Sequence, residues 1–142
     1  MKKTILFGGL ALLLMTGVMT AQLAWQKAAE GTSVYIIAPA NGATVSSPFT
    51  VRFGLKGMGV APAGVNHPNT GHHHLLIDVA ELPDLATPLP ATDNIRHFGG
   101  GQTEAEITLP AGQHTLQLVF ADYLHVAHER PVVSEKVTIT VK

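Results

Sequence analysis

The sequence contains no cysteine. That excludes a disulfide framework, attachment of lipid through cysteine, a thiolate nucleophile and a blue-copper centre, all of which need the sulfur. Charge is also scarce, at 13% of residues. Setting aside Lys2 and Lys3, seven basic side chains face ten acidic ones, with no basic stripe or cluster. A phosphate backbone would find nothing to grip, so nucleic acid is not an expected partner. Aromatics are few (one Trp, two Tyr and five Phe), which weakens a sugar-stacking surface. No stretch carries a convincing helical period.

One long apolar run is present, at the start. Lys2 and Lys3 precede a predominantly apolar stretch from Ile5 to Met19, followed by the small residues Thr20 and Ala21. A charged segment, an apolar segment and a small-residue exit make a secretory signal peptide over residues 1–21. Cleavage after Ala21 would release a periplasmic or secreted protein. The rival reading is an uncleaved anchor in the inner membrane reaching to about Trp25, near the roughly twenty residues a spanning helix needs. Both readings place the following domain outside the cytoplasm. Residues 22–32 read as a polar linker, which leaves 33–142 as about 110 residues, enough for one core.

That domain is a series of short strand-like runs separated by turn residues. "SVYIIA" (33–38) reads as a buried run. "FTVRFGL" (49–55) alternates, with Phe49, Val51, Phe53 and Leu55 on one face. "HHHLLIDV" (72–79) follows a long loop rich in Gly and Pro. A short strand is expected at 94–97, then "AEITL" (105–109), "QHTLQLVFA" (113–121) and a last strand carrying Val137, Ile139 and Val141. About seven alternating strands without a helix predict an all-β fold, an immunoglobulin-like antiparallel β-sandwich.

Histidine is the compositional excess: eight residues, all between His67 and His128. If consecutive strands run antiparallel, the segments carrying His67 and His72–His74, then His97, then His125 and His128 return to one pole, and His114 lies at the other. Residues two apart in a strand share a face, so His72 and His74 reach one point, while His73 points away with Leu75 and Ile77. Two neighbouring imidazoles can chelate one ion, and a third from His97 or from the pair His125 and His128 completes a three-nitrogen site with an open position. The expected ligands are His72 and His74 with His125 and His128, followed by His97 and His73. The ion is copper or zinc; imidazole suits both. Asp122, Gln102 and Glu104 are candidates to orient the rings from behind, and Met58 is the one nearby sulfur. The competing view is a polar pole in which imidazoles and Asp122 hydrogen-bond one another and order the loops.

The stretches "FGLKGMGVAPAG", "NTGHHHLLID", "HFGGGQTE", "AGQHTLQLV" and "HVAHERPVVSEKVTITV" resemble a family of small exported bacterial proteins known as a domain of unknown function, over about residues 34–141. In that family the loop commonly reads His-x-Pro-His. Here Ala127 stands in the proline position, which keeps both histidines and leaves the loop less rigid. The resemblance implies no activity. The leading expectation is therefore an exported domain that binds a transition metal at one pole for metal handling. The alternative is a non-enzymatic envelope module holding a sugar or peptide in the same loops. A metal-dependent oxidoreductase or hydrolase comes third: no substrate or base stands out, and Ser33, Ser46, Ser47 and Ser134 lie at strand edges or away from the histidines.

Overall fold

A computed structural model describes residues 25–142; the signal-peptide and anchor readings of 1–21 fall outside the described residues. The described residues are all-β, with ten strands in chain order: β1 (Ser33–Ala38), β2 (Thr44–Val45), β3 (Phe49–Lys56), β4 (Gly59–Val60), β5 (Thr70–Ile77), β6 (Ile95–His97), β7 (Glu104–Ile107), β8 (Gly112–Ala121), β9 (Ala127–Val133) and β10 (Val137–Val141). Three exceed the strands expected from the sequence. Two are two-residue pairings, β2 and β4, and they run parallel to β10 and β5. The third, β9, begins inside residues 122–131, "DYLHVAHERP", which the sequence reads as the loop leaving the strand 113–121.

The strands form two sheets. One is β1-β3-β7; the other runs β2-β10-β8-β5-β4, with β6 added to β5 and β9 to β8. Alternation along each strand decides which side chains fill the space between them. Val34, Phe49, Val51, Phe53 and Ile107 come from the first sheet, and Leu75, Ile77, Leu116, Leu118, Phe120 and Ile139 from the second. Each fully buried side chain of this size stabilises the fold by about 1.5–3 kcal/mol, so this layer fixes the β-sandwich. β1 departs from the sequence reading. It alternates rather than being buried throughout, and Tyr35 and Ile37 are half-exposed, because the outer face of the smaller sheet is in solvent, as Thr50 and Arg52 of the central β3 also are.

A second, smaller apolar layer positions the site. The outer face of the larger sheet is covered by the segment 78–94, whose Leu85 and Leu89 pack on Leu76, Ile95, Val119 and Ala121. β5 is therefore buried on both faces, histidines included. At the other margin, residues 26–29 lie along β9: Glu129 N–H donates to Gln26 O (2.9 Å) and the Arg130 guanidinium to Ala29 O (2.9 Å).

Candidate metal centre

β5 hydrogen-bonds to β8 with His72 opposite Ala121, His73 opposite Phe120 and His74 opposite Val119. Because side chains alternate, His72 and His74 emerge on the outer face with Leu76, and His73 enters the core. The ring of His73 lies 5.1 Å from Phe53 and 5.1 Å from Phe120, so it is enclosed by aromatic side chains. The two outer rings are 4.8 Å apart.

The other imidazoles arrive from distant chain. β6 pairs with β5 so that His97 stands opposite His74. Phe98 N–H donates to His73 O (3.1 Å), which continues that register past the strand end. His125 sits in the turn after β8 with φ of 68°, in the left-handed region, which side chains rarely adopt. Asp122 holds that turn. Its Oδ1 accepts from Leu124 N (2.8 Å) and Val126 N (3.0 Å), and Leu89 N–H donates to His125 O (2.9 Å).

Three ring nitrogens then converge. His97 Nε2 lies 3.1 Å from His72 Nε2 and 3.0 Å from His125 Nε2. Each imidazole nitrogen offers one in-plane direction, holding either a proton or a lone pair. His97 Nε2 can complete a hydrogen bond with one neighbour only, so a purely hydrogen-bonded network leaves the second close contact unmatched. A cation among the three resolves it. Nitrogens each about 2.0–2.1 Å from a tetrahedral ion lie about 3.3 Å apart, close to the two contacts that His97 Nε2 makes. His72, His74 and His97 offer ligand atoms within 4.8 Å of one another and form a group able to hold a metal ion. His125 is placed to add a fourth nitrogen.

Burial keeps His72, His74 and His97 in the form a metal requires. Desolvation, reinforced by His125, His97 and His73, pushes His72 down to about 4. Desolvation and the same cluster of rings push His74 down to about 3. His97 is lowered too, by burial and then by His125. A neutral imidazole presents the lone pair that binds metal. Among the described residues no carboxylate oxygen lies within 4.0 Å of a ring nitrogen of these four histidines, so the candidate protein donors are imidazoles.

Two of the six expected ligands go elsewhere. His73 faces the core, as β5 alternation requires. His128 does likewise: Ala127 pairs with Ala121 on the outer face, so the next residue points inward, and its ring stacks on Phe120 at 6.0 Å. The spacing His125-x-x-His128 resembles a chelating pair only while both residues share a loop. Once β9 begins at Ala127, they diverge. Both ring nitrogens of His73 and of His128 are buried without a partner.

The supporting residues divide similarly. Asp122 orients the backbone of the His125 turn rather than a ring. The Gln102 side chain accepts from Gly100 N (2.8 Å) and closes the glycine turn. Glu104 pairs with Arg52 at 3.6 Å across the smaller sheet, and Met58 packs on the core; neither joins the imidazoles. His67 lies exposed in its loop beside Pro68 O. His114, at the opposite end, sits 2.7 Å from Asp78 Oδ2 and 2.9 Å from Pro110 O.

The family model for a domain of unknown function, DUF4399, matches residues 51–142. The chain belongs to DUF4399. No curated protein and no solved structure matches it. The DUF4399 match starts within β3 and continues through β10, so it contains all eight histidines and leaves out β1 and β2. In this DUF4399 site Gly99 lies against His97 with Ala63 behind it; the sequence reads the three glycines as a turn or a close approach of the loop to a neighbour, without saying which neighbour. The three glycines of "HFGGGQTE" were the available signal.

Proposed function

We propose that this domain binds one copper or zinc ion through His72, His74, His97 and His125 and serves metal handling outside the cytoplasm, by buffering or delivering the ion. The observation that carries the reading is the double close contact of His97 Nε2, which one proton cannot satisfy. Neutral nitrogen donors alone suit a borderline transition metal and give little hold on Ca²⁺ or Mg²⁺, which prefer oxygen. His72 and His74 are the buried, fixed pair, and His97 and His125 are the members nearer solvent, where an ion would enter and leave. Export follows from reading residues 1–21 as a signal peptide or anchor.

The test uses protein without a histidine tag. Calorimetric titration with Cu²⁺ and Zn²⁺ should give one site of micromolar or tighter affinity. His72→Ala/His74→Ala protein should lose it. Wild-type protein that binds neither ion sinks the proposal.

A second reading has its own observation. A cleft of about 300 Å³ lies on the other side of the His125 turn, lined by Trp25, Pro88, Tyr123, Leu124 and Val126. Apolar walls with two aromatic side chains suit a peptide or sugar of the envelope. Binding of such a molecule with no dependence on the four histidines would favour this reading.

A further inference from the structure

We infer that Gly99 is a positioning residue for His97, and that its missing side chain is what allows the His97 imidazole to reach the ion. The inference rests on the proposed ion site. A Cβ at position 99 would lie 2.2 Å from His97 Cε1 and 2.6 Å from His97 Nε2. Real Cβ atoms do not approach other atoms so closely, so the ring and even the smallest side chain cannot share this space. The ring is the far end of a side chain that can rotate. With a methyl group at 99, the imidazole turns away and the backbone stays.

The neighbouring glycines show that this role belongs to one position. Gly101 has φ of 85°, so its requirement is conformational. A Cβ at Gly100 would meet only the flexible side chain of Gln102, at 3.1 Å. Gly99 lacks a positive φ, so alanine is open to its backbone, and its restriction comes from His97 together with Ala63 Cβ at 3.1 Å.

The backbone of Gly99 is also held on its far side. Ala63 N–H donates to Gly99 O (2.8 Å), and the next amide, Gly64 N–H, donates to Tyr123 O (3.0 Å). The loop containing Pro62 thus ties the segment of His97 to the turn of His125. Two imidazoles, one at the end of β6 and one in the turn after β8, keep one mutual distance because the Pro62 loop braces both segments. Gly99 can therefore not retreat from the ring without breaking that brace.

The experiment compares wild-type, Gly99→Ala, Gly100→Ala, His97→Ala and Gly99→Ala/His97→Ala proteins loaded with Cu²⁺, reading affinity and the electron paramagnetic resonance spectrum. Gly99→Ala should weaken Cu²⁺ binding by about 10- to 100-fold, the range for residues that orient a ligand. Its spectrum should match that of His97→Ala. The double variant should bind no more weakly than His97→Ala alone, and Gly100→Ala should keep the wild-type spectrum. Wild-type affinity and spectrum in Gly99→Ala, or additive loss in the double variant, overturns the inference. Should Gly99→Ala fail to fold, Ala63→Gly/Gly99→Ala removes the methyl contact and keeps the ring clash, and the same comparison applies. In metal-free protein, nuclear Overhauser contacts between the His97 and His125 rings should vanish in Gly99→Ala; their persistence also overturns the inference. Wild-type protein that takes up no Cu²⁺ overturns the ion reading, and the metal-free ring contacts then decide the positioning role by themselves.

Discussion

The Nε2 atoms of His72 and His97 lie 3.1 Å apart although 25 residues separate them in the chain. The pairing of β6 with β5 makes that distance, because His97 arrives opposite His74 and beside His72. The three-residue strand β6 is thus a structural condition for any chemistry at this pole.

The two faces of the larger sheet should respond differently to loss of a histidine. His97→Ala should reduce affinity for Cu²⁺ or Zn²⁺ at least about tenfold with little change in melting temperature. His128→Ala should leave ion affinity near wild type and destabilise the fold by about 2 kcal/mol or more, as other large-to-small core changes do. Calorimetric titration and chemical denaturation read the two effects. Loss of ion binding in His128→Ala would contradict the separation of faces.

His73 should make metal-free protein acid-sensitive. Burial holds its imidazole at about 4 against the ordinary 6.5, with the backbone of Gln102 opposing the shift. In the unfolded chain the ring takes up its proton near 6.5, while the folded protein refuses it until about 4. The unfolded state therefore binds more protons in that window, and stability falls as the pH falls through it. At about 1.4 kcal/mol per pH unit, His73 alone accounts for about 3 kcal/mol. Urea denaturation at pH 7.5 and 4.5 should show His73→Leu losing less stability than wild type by roughly that amount. Equal losses would count against a neutral, buried His73.

His114 should behave in the opposite sense. Both ring nitrogens face acceptors, Asp78 Oδ2 and Pro110 O, so the ring holds two protons and is cationic. The hydrogen bond to Asp78 raises its pKa, ahead of a smaller opposing effect of burial. A raised value contributes stability that is complete below about 6.5 and is lost as the pH rises through the folded-state value. In an NMR titration, His114 should hold its proton to higher pH than the ordinary imidazole value of about 6.5, and Asp78→Asn should bring it down. A His114 that titrates unchanged in Asp78→Asn would remove the assigned cause.

Two strand glycines should differ in tolerance. A Cβ at Gly71 would come within 2.3 Å of Ala121 O, which is backbone, and 2.8 Å of Phe120 Cε1. A Cβ at Gly54 would meet the ring of Tyr35, which is half-exposed and free to swing outward. Gly71→Ala should cost about 1–3 kcal/mol or more by overpacking, and Gly54→Ala markedly less. Thermal melts rank them, and the reverse order would refute the account.

Much of the fold was legible because the signals are local. Phe49, Val51 and Phe53 alternate, and the Pro and Gly turns divide the chain, so an all-β sandwich follows without knowledge of pairing. β9 was missed because Arg130 and Pro131 read as loop. The strand there is held by Val119 and Phe120 at one end and by Ala121 at the other, around a register shift. β1 reads as buried because Val34, Tyr35, Ile36 and Ile37 are all apolar; Tyr35 and Ile37 are exposed because they lie on the uncovered outer face of the smaller sheet.

For the histidines, the sequence by itself determined how the triple divides: strand geometry sends His72 and His74 to one face and His73 to the other, since alternation is a property of each residue's own backbone. Only the tertiary structure decided which partners they meet. His97 joins through the register of β6 on β5, His125 through a turn bound by Asp122, and His128 is sent to the core by the start of β9 at Ala127. Register and strand limits depend on hydrogen bonds between segments tens of residues apart, and no local pattern in either segment records them.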